Sequence, residues 1–306
     1  SAMFSETVQD LLDTQGYVLI DGATGTNLFA MGLTSGDAPE LWNIDEPKKI
    51  TSLYQSWADA GSNLFLTNTF GGSCHRLKLH QADNRVGELN RVAAELARDV
   101  ADKAEQKMIV AGSVGPTGEL IEPLGALTVA GAEEAFEEQM QGLKDGGAEV
   151  FWIETISAKD ELSAALRAAQ RVGLPAVCTL SFDTNGKTMM GIAPEDMPGL
   201  VANAGQAMGF GANCGTGPSE LVAVISAMRK ASQDSDWLVA KANCGIPEFK
   251  DGKIAYSGDV PLMSLYAQLA LACGAQFIGG CCGTTAEHIR AMKEALEAYE
   301  PREAPD

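Results

Sequence analysis

Cys281 and Cys282 stand side by side in FIGGCCGTT (277–285), between glycines. A disulfide between neighbours is strained, because the two side chains leave the backbone in different directions. Coincidence, a redox switch, or two thiolates aimed at one metal ion remain. Cys214 in GANCG and Cys244 in KANCG each close a short apolar run in the same way. Three sulfurs with a fourth position open form a zinc pattern. Zinc held by three thiolates carries net negative charge and is a modest activator of water. It suits another task, which is to bind a substrate thiol and hold it as a nucleophile. The chemistry implied is alkyl transfer to sulfur. From spacing alone Cys244 could be a fourth ligand, which would make a closed, structural site.

Two carboxylates join the candidates. Asp21 ends YVLID and Glu154 ends AEVFWIE. Either could bind an α-amino group or act as acid or base. The competing readings are an Asx turn at Asp21-Gly22 and a simple helix cap at Glu154. Cys178 in AVCTL and Cys273 in LALACGA read as small buried hydrophobes, and Cys74 as a loop residue without a role. His75, His80 and His288 form no constellation, and His288 is expected to face outward from the last helix.

Eight short apolar runs position these groups: residues 17–22, 62–70, 107–116, 148–155, 175–182, 207–215, 237–245 and 275–283. Helical patterns lie between most of them, at 47–61, 86–104, 131–147, 158–173, 218–233, 260–274 and 285–300, several closed by Gly. Strand–helix alternation without a linker predicts a single (β/α)8 TIM barrel over residues 3–300, followed by an acidic tail at 301–306. A doubly wound open sheet is the alternative. In such a barrel the active site gathers at the C-terminal ends of the strands. Asp21, Ser113, Glu154, Cys214, Cys244, Cys281 and Cys282 all stand there. Long loops at 117–130 and 183–199 would cover the same end.

The chain of 306 residues carries net charge −19, with a sequence pI near 4.5. Such a surface repels nucleic acid and anionic lipid, so neither is expected as a partner. No apolar run is long enough to span a bilayer and no signal peptide is apparent. Ser1-Ala2 before Met3 reads as a remnant of tag cleavage. Seven cysteines, an odd number, argue against a disulfide framework and for reduced thiols in the cytoplasm.

The strand-end segments DGATGT (21–26), TNTF (67–70), GSVGPTGE (112–119), IETI (153–156), GANCGTGP (211–218) and GGCCGTT (279–285) together resemble the homocysteine S-methyltransferase family over nearly the whole chain. That family includes the homocysteine-binding domain of cobalamin-dependent methionine synthase and betaine–homocysteine methyltransferase. The resemblance implies Zn2+ on Cys214, Cys281 and Cys282, with the sulfur of homocysteine as fourth ligand and methionine as product. It implies that the amino acid is held near Asp21, Gly22, Ala23 and Glu154, with Ser113 a further candidate. Cys244 stands where relatives of the methionine synthase type carry another small residue, and so reads as a neighbour of the site.

The methyl donor is the open choice. An onium donor such as betaine or S-methylmethionine wants an aromatic cage. Here Gly71 follows Phe70, and Thr155 follows Glu154, where the betaine enzymes carry aromatic residues. Trp42, Trp152 and Phe249 remain, each expected to serve packing. These departures favour a methylcorrinoid carried by a separate protein, as in a split methionine synthase. A betaine-type enzyme is the alternative, and a zinc- and homocysteine-binding subunit that is inactive without a partner belongs to another class.

Overall fold

A computed structural model describes residues 2–300, so the tail expected at 301–306 lies outside the described residues. The strands are β1 (Val18–Leu19), β2 (Leu64–Leu66), β3 (Ile109–Val114), β4 (Val150–Ile153), β5 (Ala176–Leu180), β6 (Gly209–Cys214), β7 (Trp237–Ala242), β8 (Pro247–Lys250), β9 (Lys253–Tyr256) and β10 (Phe277–Gly280). All but β8 and β9 form one parallel sheet in the order β1-β10-β7-β6-β5-β4-β3-β2. The seam between β1 and β2 is short. The Asn63 N–H donates to Leu19 O at 2.8 Å, and the Leu66 N–H donates to the Asp21 carboxylate at 2.9 Å. The result is the expected (β/α)8 barrel, closed at its seam partly by a side chain.

Strand side chains alternate between the barrel interior and the helix layer. Val18, Ile20, Leu64, Leu66, Ile109, Ala111, Val150, Trp152, Val177, Val239 and Phe277 form the interior cluster. Trp152 lies edge-on to Phe277, ring centroids 5.9 Å apart. It therefore belongs to the barrel filling and not to a cage. Trp42 packs under the Lys49 ammonium, 4.7 Å from the ring centroid, while Phe249 is 77% exposed.

The bottom of the barrel is plugged by an element absent from the expected set. A helix over Ala2–Gln15 places Phe4 and Val8 into the interior cluster, with Leu11 and Leu12 against it. Those apolar positions recur at helical spacing. A second addition is the helix Met197–Ala204, within and beyond the loop expected at 183–199. It has 8 residues against the 14 of the helices Lys159–Val172 and Pro218–Ala231 on either side. A cleft of about 720 Å3 opens there, lined by Pro175, Val201, Met208 and Phe210. It lies at the opposite end of the barrel from the cysteines.

The third addition is the antiparallel hairpin β8–β9, in which Phe249 faces Ile254. Its turn residues Asp251 and Gly252 both have positive φ, 51° and 76°. Asp-Gly between strands is a strong hairpin signal. Among the described residues no helix is long and apolar enough to cross a membrane.

Candidate active site

Extending the alternation past the interior cluster, by one step on β3, β4 and β7 and by two on β10, turns Ser113, Glu154, Lys241 and Cys281 inward at the top of their strands. β7 lies between β6 and β10, and its Ala242 is bracketed by both cysteine-bearing strands. Cys214 pairs with Ala242 in register, and the Cys281 N–H donates to Ala242 O. In a flat sheet, strands two apart stand roughly 9.5 Å from each other. Barrel curvature and a left-handed Cys214 (φ 58°) close that gap. The Cys214 and Cys281 sulfurs are 2.8 Å apart, and all three sulfurs of Cys214, Cys281 and Cys282 lie within 4.8 Å of one another. A non-glycine residue at that φ is strained, and the strain here aims a sulfur.

Asn243 ties the two cysteine loops together. Its Oδ1 accepts the Cys282 N–H at 3.0 Å and its Nδ2 donates to Gly215 O at 3.0 Å. Asn213 donates to Thr155 Oγ1 at 2.9 Å and accepts from Thr179 Oγ1 at 2.9 Å, holding the residue before Cys214. The thiols bond among themselves. Cys281 and Cys282 push Cys214 well above its ordinary value, whereas hydrogen bonds from Cys214 and Cys281 hold Cys282 far below its own. For Cys281 the Cys214 bond acts downward, but the Cys282 bond, burial and the Cys282 charge push it up to about 12. One thiolate accepting from two thiols accounts for this pattern. Three soft donors converging from half-exposed positions fit a thiophilic ion such as zinc, bound at about 2.3 Å per sulfur.

Cys244 stands apart from this cluster. Its thiol is buried, donates to Gly258 O at 3.0 Å and meets His288 Nε2 at 3.3 Å. Burial, with the Asp259 charge adding to it, pushes the thiol up to about 11. The outward-facing His288 expected from the sequence is corrected here. Its Nδ1 accepts the Thr285 N–H at 3.0 Å, and its Nε2 reaches Gly258 O at 3.2 Å. This pairing pins the base of the β8–β9 hairpin. Cys244→Ala is therefore expected to keep full metal content, with a modest loss in Tm from the freed hairpin. Metal analysis and a melting curve on the same sample check both. Cys178 is fully buried, Cys273 packs against the main core, and Cys74 opens the short helix Cys74–Leu77.

The remaining candidates fall into two groups. Ser113 is 2% exposed, and its hydroxyl donates to Glu154 Oε1 at 3.4 Å. Glu154 is half-buried. Burial raises its pKa to about 7, with Asp21 and Cys282 adding to the shift while Lys241 and Ser113 oppose it. Asp21 is fully buried and engaged: Oδ2 accepts from Leu66 N, and Oδ1 lies 3.0 Å from Lys241 Nζ. The Gly22 carbonyl accepts from Lys241 at 3.3 Å, and the Ala23 N–H donates to Thr284 O at 3.0 Å. A Cβ at Gly22 would stand 2.5 Å from Thr284 O, so the 21–23 turn can lie on the cysteine loop only with glycine there.

Two residues at this end were not anticipated. Lys241 is 3% exposed inside the barrel. Burial opposes its charge, but Asp21, Cys281 and Glu154 overcome that and raise its pKa. The sequence signal was a lysine at an inward position of the apolar run WLVAKA. Tyr256, delivered by β9, stands beside Cys282 and its hydroxyl helps depress that thiol. No local pattern marks it, because the hairpin carries it there.

Fold and site together define a barrel protein with a three-thiol cluster at its catalytic end and a carboxyl poised near neutrality beside it. The chain belongs to the homocysteine S-methyltransferase family, whose sequence profile matches residues 18–296. It is 31% identical to methionine synthase of Mycobacterium tuberculosis and 29% identical to that of Mycobacterium leprae, in each case over 94% of this chain. It spans only 25% of the length of either relative. Among solved structures, the metallated form of the homocysteine methyltransferase MmuM from Escherichia coli superposes with a TM-score of 0.78 at 24% identity, covering 94% of this chain and 99% of that one.

Proposed function

We propose that the chain is a zinc-dependent S-methyltransferase that moves a methyl group to the sulfur of homocysteine, giving methionine. The convergence of Cys214, Cys281 and Cys282 within 4.8 Å carries this reading. Those three residues would hold the ion, which when bound supplies a Lewis acid that favours the thiolate form of a substrate thiol at neutral pH. Asn243 and Asn213 keep the thiol-bearing loops in place. Glu154, oriented by Ser113, receives the amino group of homocysteine and gives up its own proton on binding. The thiol proton would pass to solvent as the sulfur binds, so no separate base is required, and none of the three histidines is needed as one. Seven free cysteines support a reducing compartment, the cytoplasm, as the place of action.

The donor reading is a methylcorrinoid presented by a module outside these residues. The methionine synthases matched here are four times as long as the stretch this chain spans, and the described residues form a single barrel. A small onium donor is the second reading, and the Tyr256 ring beside the cluster favours it. One experiment separates them. The zinc-loaded chain is incubated with homocysteine and either methylcobalamin, betaine or S-methylmethionine, and methionine is quantified. Turnover with methylcobalamin is the expected result. Turnover with betaine or S-methylmethionine alone would replace the donor assignment. Homocysteine binding without turnover by any donor would point to a subunit awaiting its partner, and no homocysteine binding would refute the acceptor.

A further inference from the structure

Lys241 is a buried cation for which the reaction so far has no use. Pairing a lysine with an aspartate inside a barrel is costly, because both charges leave water, and an apolar pair of similar volume would be at least as stable. Stability alone therefore gives no reason for the pair. An ammonium carries three donors. One is donated to Gly22 O at 3.3 Å, and the ammonium is ion-paired with Asp21 Oδ1 at 3.0 Å. Asp21 is itself anchored by the Leu66 N–H, so the nitrogen is held from behind. Lys241 stands two positions beyond Val239 on the inward face of β7, above the apolar filling, opposite Asn213 and Gly279 and so one and two positions before Cys214 and Cys281 on the neighbouring strands. No further protein partner of the ammonium is found among the described residues, and Glu154 and Cys281 both lie within its electrostatic reach.

An amino acid presents an ammonium and a carboxylate on one carbon. Glu154 and Lys241 form the complementary pair at the inward strand ends above the apolar filling. We infer that Lys241 binds the α-carboxylate of the acceptor and so makes the site select amino-acid thiols over simple aminothiols. Asp21 then acts as a positioning residue that holds Lys241 Nζ, and its own oxygens do not meet the substrate. This inference rests on the homocysteine reading above and names the group that reads one end of that molecule.

The test compares two acceptors that differ only in the carboxylate, L-homocysteine and 3-aminopropane-1-thiol. Their affinities are measured by titration calorimetry on zinc-loaded protein. A charge-assisted hydrogen bond to the carboxylate predicts that Lys241→Met lowers the affinity ratio, homocysteine over aminothiol, by about 10- to 100-fold. Lys241→Arg, which keeps the charge, should retain most of the ratio. A purely structural lysine would weaken both ligands alike, and an unchanged ratio in Lys241→Met overturns the inference. Equal affinity of the wild-type protein for the two thiols overturns it as well. If Lys241→Met fails to fold with Asp21 left unpaired, the double variant Asp21→Asn/Lys241→Met removes both charges and the same ratio is read there. Wild-type protein that carries zinc but binds neither thiol would overturn the acceptor reading and this inference together. An unchanged ratio beside tight wild-type homocysteine binding overturns only the role of Lys241.

Discussion

Cys281→Ser protein is expected to leave purification with almost no zinc and to make no methionine. Serine keeps the size of the side chain but replaces a thiolate with an alcohol that stays protonated at neutral pH, so a soft charged donor is lost outright. Disturbing an outer partner of a metal ligand already costs about 10- to 100-fold in affinity. Removing one of three thiolates should exceed the upper end of that range. The fold should survive, because Cys281 lies outside the hydrophobic clusters and its backbone bond to Ala242 O does not involve the side chain. Zinc per chain by elemental analysis, a melting curve and methionine formation are read on one preparation. A variant that keeps one zinc per chain, or transfers methyl groups without it, would refute the three-thiol centre.

The second large effect falls on Glu154. Burial holds this carboxyl near 7 in the free protein, with Asp21 and Cys282 adding and Lys241 and Ser113 opposing. An incoming ammonium favours the ionised form, so binding drives off a proton wherever the free carboxyl still carries one. Homocysteine affinity should therefore gain an extra factor of about ten per pH unit below 7 that is lost above it, on top of the slope that ionisation of the substrate thiol contributes. Truncating one partner of a desolvated charge pair costs ~2–5 kcal/mol. Glu154→Gln should thus raise KM by about 30-fold or more. Its KM should also lose the extra slope below pH 7 and keep the part due to the thiol. A pH series of KM for both proteins is the measurement, and a Gln variant that keeps the wild-type slope would remove Glu154 from amino-group recognition. Stability has the opposite sign. A carboxyl raised on folding keeps its proton where the unfolded chain has lost it, so stability falls as pH rises from about 4.5 toward 7. Glu154→Gln should flatten that decline in a pH series of denaturation midpoints.

The strand ends were legible because a parallel strand is a continuous apolar run, and the residue that closes it is easily seen in the sequence. The barrel, the strand-end thiols of Cys214, Cys244, Cys281 and Cys282, and the neighbouring Glu154 follow from that, while the separation of Cys244 from the other three is a fact of the fold. Helix Ala2–Gln15 and hairpin β8–β9 were also written in the chain, as apolar spacing at Phe4, Val8, Leu11 and Leu12 and as Asp251-Gly252. They went unassigned because strand–helix counting has no place for elements that plug or decorate a barrel.

Charge pairing was a different matter. Asp21, Lys241 and Glu154 are separated by more than eighty residues at each step, and only closure of the sheet sets Lys241 against Asp21 at 3.0 Å. His288 reads as an outward helix residue until the hairpin base folds under it and Cys244 meets its ring. The sequence by itself determined the architecture and the strand-end cysteines, because periodicity and strand-end position are local properties, and its motifs carried the resemblance that singled out three of those thiols. Only the tertiary structure decided which carboxylate faces the mouth and which is bound to a lysine, because ionic partners are chosen by distance across the barrel and leave no trace in local pattern.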